Sequence, residues 1–158
     1  MTLREFEQLF KEVVESYPSI DIEYNYNRAW YLDGSPSSTF PAITLERLPK
    51  VSYKGMKQNH LPMVEVFEFK VYFFDTYHYS ERDGKEFSEK QTELLEIAKQ
   101  VFAEISRRDR DEGHNLNFKY NGNFLGDIDM NPNELMEFSA GCTAELKVAC
   151  DKLTFVYA

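Results

Sequence analysis

Residues 64–74 read Val64-Glu65-Val66-Phe67-Glu68-Phe69-Lys70-Val71-Tyr72-Phe73-Phe74. Phe67, Phe69, Val71 and Phe73 recur at every second position, so one face of an extended chain is wholly apolar. Val66, Tyr72 and Phe74 make the opposite face partly apolar. A run of this length is about twice the usual strand. Such a strand projects beyond its own domain or is covered on both sides. It marks the expected centre of a sheet.

Upstream, Ile20, Ile22, Tyr24 and Tyr26 alternate with Asp21, Glu23, Asn25 and Asn27, the pattern of a half-buried strand. Pro41 to Leu48 reads as another strand, with Ile43 and Leu45 inward and Pro41 suited to its start. Residues 47–63, broken by Pro49, Gly55 and Pro62, read as an extended excursion without a long periodic run. Asp33-Gly34-Ser35-Pro36-Ser37-Ser38 is a loop by composition.

Two helices flank these strands. In the first, Thr2 and Glu5 form a capping box, and Leu3, Phe6, Leu9, Phe10, Val13 and Val14 follow at helical spacing. Tyr17-Pro18 ends it. The second is expected from Ser88, with Gln91 completing a capping box and Leu94, Leu95, Ala98, Val101, Phe102 and Ile105 as its apolar stripe. Glu81-Arg82-Asp83-Gly84 is a turn before it and Gly113 a stop after it. Arg107, Arg108 and Arg110 oppose the negative pole of its dipole.

The last third is β-rich. Asn121-Gly122 signals a hairpin. Asn131, Pro132 and Glu134 fit the start of a short helix. Ala144–Val148 and Leu153–Tyr157 each alternate, with Asp151-Lys152 as the expected turn between them. The predicted fold is a single α+β domain over residues 1–158. It consists of a mainly antiparallel sheet with two principal amphipathic helices packed on it.

The chain has 158 residues, 27 Asp+Glu, 18 Lys+Arg and a net charge of −9. With 42% hydrophobic and 15% aromatic residues it has the composition of a folded domain rather than a disordered one. The negative balance opposes general nucleic-acid binding and attraction to anionic membranes. No apolar run reaches the roughly 18–20 residues of a membrane span, and the N-terminus lacks a signal-peptide pattern. Cys142 and Cys150 are expected to be reduced core thiols of a cytoplasmic protein. On one strand they would lie roughly 26 Å apart, far beyond disulfide reach.

Searches for chemistry point away from an enzyme. No nucleophile elbow, Walker loop or dinucleotide fingerprint is present. Asp127-Ile128-Asp129-Met130-Asn131 begins like a calcium loop. Pro132 then replaces the turn glycine and Phe138 the bidentate Glu, so the helix-cap reading is preferred. His60, His78 and His114 have no zinc-ligand spacing. Asp109, Asp111 and Glu112 read as a solvated face. No catalytic, metal-ligating or cofactor-binding residue is expected, and no cofactor.

Charge distribution says more. Residues 28–60 hold five basic residues against two acidic ones, a net +3, which leaves −12 for the rest. Arg47, Lys50, Tyr53, Lys54 and Lys57 are the candidate contact residues, in a stretch with four basic residues and no acidic one. One reading is charge-complementary contact with a neighbouring copy and another is a solvated loop; nucleic-acid contact is a third, opposed by the −12 surroundings and by Tyr53 being the only aromatic of the loop.

The element order resembles the tail terminator and tail-completion proteins of the tailed-bacteriophage head–tail junction. The resemblance lies in the N-terminal helix, in Phe40-Pro41-Ala42-Ile43-Thr44-Leu45-Glu46 entering an early strand, and in the long strand ending Tyr72-Phe73-Phe74-Asp75. The helix from Ser88 and the β-rich C-terminus continue it. It implies a non-enzymatic phage structural protein forming a homo-oligomeric ring, usually hexameric, that caps the tail tube and joins it to the head. Its partners would be other phage tail or neck proteins, with neither specific nucleic acid nor membrane. It would occupy the bacterial host cytoplasm during assembly and the virion neck afterwards. The alternative is a small cytosolic ligand- or protein-binding module of α+β fold, using Tyr24, Tyr26, Trp30, Tyr31, Tyr72, Tyr77 and Tyr79 as aromatic contact area.

Overall fold

A computed structural model describes residues 2–18, 23–26, 41–56, 60–76, 85–112, 125–130 and 139–153. Among these residues two helices, α1 (Leu3–Glu15) and α2 (Lys85–Glu112), accompany five strands. These are β1 (Glu23–Tyr26), β2 (Ala42–Met56), β3 (His60–Thr76), β4 (Leu125–Asp129) and β5 (Ser139–Leu153). Their order in the sheet is β1-β2-β3-β5-β4. β1 runs parallel to β2, and the other neighbours are antiparallel. The fold is α+β, with the long aromatic strand central as its alternation predicts.

The core follows from that alternation. Ile43, Phe73 and Cys142 form one cross-strand row; Leu45, Val71 and Ala144 form the next; Phe69 and Leu146 lie beyond. All are buried in one cluster with Phe6, Phe10, Val13 and Val14 of α1 and Leu94, Ala98, Val101, Phe102 and Ile105 of α2. Phe6 stacks 5.1 Å from Phe69, and Phe102 meets Phe73 edge-on at 5.6 Å. Each such ring contributes about 1.5–3 kcal/mol by leaving water. The opposite face of β3 is screened too, since Val66, Tyr72 and Phe74 are buried.

The Thr2–Glu5 capping box forms as expected. Glu5 N donates to Thr2 Oγ1, and Thr2 N donates to Glu5 Oε2 at 2.6 Å. The second helix differs from its reading. It begins at Lys85, so Ser88 and Gln91 lie inside it and form no cap. Gln91 Nε2 instead donates to the carbonyls of Met130 and Gly141, 2.7 and 3.2 Å away, tying α2 to the end of β4 and the start of β5. Ile97 joins the buried stripe while Leu95 is half-buried. Asp109 is a further correction. It lies four residues beyond Ile105 on the same stripe and is 2% exposed, not solvated.

Three strand assignments also change. β2 continues from Ala42 to Met56 where it was expected to end at Leu48, and β3 begins at His60. Over its described residues, 47–56 and 60–63, the excursion is therefore a paired extension of two strands. Among these described residues the ladder carries register shifts between Arg47 and Val51 in β2 and between His60 and Val64 in β3. Each shift contains a proline, Pro49 or Pro62, whose missing N–H interrupts the ladder locally without ending the strand.

β5 runs unbroken through Asp151-Lys152, where a turn was expected. Lys152 pairs with Val64 and Ala149 with Val66, so one extra residue is absorbed as a bulge. A similar bulge in β4, between Leu125 and Ile128, holds Gly126. A Cβ there would meet Glu145 O at 3.2 Å. The expected features at Asn121-Gly122, Glu81–Gly84, Gly113 and Asn131–Phe138 lie outside the described residues, as do residues 20–22 of the first strand.

Candidate functional site

Among the described residues, β1 pairs with β2 only over Ala42–Leu45. The remainder of β2 pairs with β3 on one side, and β5 reaches along β3 to Leu153. The sheet thus continues past its helix-covered part as an arm. At its base Phe67 is still in the core cluster. One strand away, its partner Val51 is 39% exposed, and Tyr53, opposite Glu65, is 54% exposed.

Register decides which side each candidate takes. Arg47 pairs with Phe69 and Tyr53 with Glu65, positions that share the helix-side face of β3 with Phe67. Arg47, Val51 and Tyr53 therefore fall on one face, and all three are exposed. Lys50 goes the other way. Its ammonium lies 3.6 Å from Glu68 on the opposite face, so its charge is partly answered within the arm. Lys54 pairs through its backbone with Val64, while its side chain and the whole of Lys57 lie outside the described residues. The basic cluster of the sequence is thereby divided between two faces. Val51 was missed by charge reasoning. The signal that could have found it is its spacing of two from Tyr53.

The second face carries its own pattern. Glu46, Lys70 and Glu145 form one cross-strand row on β2, β3 and β5. Lys50, Glu68 and Lys147 form the next. Opposite charges therefore alternate both along each row and between rows. Lys70 Nζ also lies 5.6 Å from the ring centroid of Tyr72 on the same face. Beyond these rows Thr44, Tyr72 and Thr143 are buried, and Thr44 Oγ1 has no hydrogen-bond partner among the described residues.

Elsewhere a groove of about 560 Å³ lies between the end of α1 and α2, lined by Val13, Tyr17, Pro18, Val101, Arg107 and Arg108. Its charges are internally paired. Arg107 grips Glu104 through two hydrogen bonds of 2.7 and 2.9 Å and reaches Asp111 at 2.8 Å, and Arg108 Nε donates to Glu104 at 2.9 Å. Hydrogen bonds from Arg107 and then Arg108 hold the Glu104 carboxyl down at about 2. The same contacts raise Arg107 further above its already high value.

Asp127 and Asp129 are exposed on β4, and among the described residues no three His, Cys, Asp or Glu side chains gather to hold a metal. His78 and His114 lie outside the described residues, as does the side chain of His60. Cys142 is a free, buried thiol, pushed up to about 12 by desolvation. Cys150 is on the same strand, which keeps the two cysteines too far apart to bridge. Among the described residues no helix is long and apolar enough to cross a membrane. Comparison with protein-family models and with curated protein sequences returns no match.

Proposed function

We propose that this chain is a structural assembly protein of the phage head–tail junction type, which joins copies of itself into a ring and engages tail or neck partners through the β2–β3 arm. The observation that carries this reading is the arm itself. It extends β2, β3 and the end of β5 past the helix layer and holds Val51 and Tyr53 exposed beside Arg47 on one face. Aromatic and Arg side chains are enriched at contact surfaces, where a flat ring buries much area at little entropic cost. An arm net positive in sequence, on a body carrying −12, adds the means to orient a neighbour.

Native mass spectrometry of the purified chain, alone and mixed with candidate tube and neck proteins, tests the reading. A ring or a stable complex supports it. Tyr53→Ser with Val51→Ser is expected to weaken that assembly while leaving the melting temperature nearly unchanged. Reversal of Lys50, Lys54 and Lys57 to Glu is expected to impair it as well. A monomer that binds none of these partners would overturn the reading.

A further inference from the structure

We propose that copies of this chain join head to tail, the basic β2 arm of one copy lying along the acidic β4 edge of the next. Among the described residues three large apolar side chains stand exposed: Val51 at 39%, Tyr53 at 54% and Met130 at 37%. They lie toward opposite margins of the sheet, Val51 and Tyr53 on β2 and Met130 directly after β4. Charge divides in the same way. Arg47 and Lys50 are exposed on β2, and from Arg47 to Met56 that strand holds no carboxylate. Asp127 and Asp129 are exposed on β4, and from Leu125 to Met130 there is no basic residue. Each margin thus offers apolar area flanked by charge, and the two charges are opposite in sign.

Charge also selects the symmetry. A two-fold contact sets β2 against β2, with Arg47 and Lys50 near their own copies, or β4 against β4, with Asp127 and Asp129 near theirs. The unlike contact, β2 on β4, joins opposite signs. Unlike surfaces join copies head to tail, into a ring where the rotation closes. Strand direction agrees with this. β2 and β4 run in opposite directions within the sheet. A copy placed alongside in the same orientation therefore sets β4 antiparallel to the next β2 and keeps the helices on one side.

Register fixes how the copies are displaced. Through β5 and β3, Asp129 is level with Thr44, and there β1 covers the edge of β2. The neighbour must slide along the strands to meet the uncovered arm. A shift of about six residues, roughly 20 Å, sets Met130 level with Val51 and Asp127 level with Lys54. Lys50 is already turned toward Glu68, so the ion pair assigned to the contact is Asp127 with Lys54. Pro49 and the register shifts of both strands interrupt these edges, so side chains rather than an added ladder make the contact. This inference rests on the arm reading and names the surface that receives the arm.

Native mass spectrometry and sedimentation of the full chain test it. Wild type is expected to form species above the 18.6 kDa monomer. These should diminish as salt rises from about 0.1 M to about 1 M, where the Debye length falls from near 10 Å to near 3 Å. An arm variant, Val51→Ser with Tyr53→Ser, and an edge variant, Asp127→Lys with Met130→Ser, should each be monomeric with unchanged melting temperatures. Mixed, they should form a complex of twice the monomer mass and no larger. The intact arm of the edge variant then meets the intact β4 of the arm variant, and the outer ends of the pair are blocked. Within one chain, Lys54→Glu should restore the assembly that Asp127→Lys removes.

An edge variant that assembles like wild type while the arm variant does not overturns this contact and leaves the arm reading standing. So does a mixture that stays monomeric, a failure of the Lys54→Glu rescue, or a wild-type monomer that still binds a tube or neck protein. Assembly that survives the arm variant overturns both.

Discussion

β3 lives in two environments along one strand. From Phe67 to Phe74 it lies under the helices, with Phe67, Phe69, Val71 and Phe73 buried on the helix side and Tyr72 and Phe74 buried on the other. Across from its first residues, β2 carries Val51 and Tyr53 into solvent. The ladder continues through both parts, interrupted in the arm by register shifts, and the same helix-side face continues. What differs is the cover. α1 and α2 meet Phe69 and Phe73 through Phe6 and Phe102, and Tyr53 is left with half its surface in water. A period of two therefore assigns a side chain to a face, but does not decide whether that face is dry.

Substitutions at the two ends should separate sharply. Phe69→Ala is expected to lose about 3–5 kcal/mol in chemical denaturation, because it leaves a cavity beneath Phe6. A loss under about 1 kcal/mol would mean that this core is loosely packed. Thr44→Val, on the second face, should move the other way. Its hydroxyl is buried without a partner among the described residues, so an apolar group of the same shape is expected to stabilise by about 1 kcal/mol. An unchanged denaturation midpoint would show that the hydroxyl is satisfied in solution.

Tyr53→Ala should alter stability by less than about 0.5 kcal/mol, since the ring is more than half exposed. A larger loss would erase the distinction between arm and core.

The smallest effect concerns Glu104. Its carboxyl titrates at about 2 in the folded chain against 4.5 when unperturbed, so its stabilising contribution is fully present above 4.5 and is lost as pH falls toward 2. Glu104→Gln should therefore lower the denaturation midpoint slightly at pH 6 and progressively less below pH 4.5. Because the group is on the surface, water screens most of the interaction. A difference that grew with acid would reverse the assigned sign.

Most of the core was legible from local pattern. Phe6, Phe10, Phe69, Val71 and Phe73 each sit where helical or strand periodicity places them. The errors arose where local grammar competes with long-range pairing. Ser88 and Gln91 have the form of a cap, yet the helix starts a turn earlier and Gln91 serves two distant carbonyls. Asp151-Lys152 has turn composition, yet β3 offers Val64 as a partner and the strand continues through a bulge. Pro49 and Pro62 looked like interruptions, and each proved to be a register shift inside a paired strand. The candidate arm was legible as a stretch of charge. Its division between two faces was not, because an insertion in one strand changes what each later residue opposes.

By itself the sequence determined the α+β class, the two helices, the central aromatic strand and the acidic body with a basic stretch. These follow from periodicity and composition, which are local properties of the chain. The tertiary structure decided how far β2, β3 and β5 extend, which candidates share a face, and that Asp109 lies buried. It also brought Glu46, Lys70 and Glu145 into one row from three separate parts of the chain. That juxtaposition depends on the register between strands distant in sequence, and no local pattern encodes such a register.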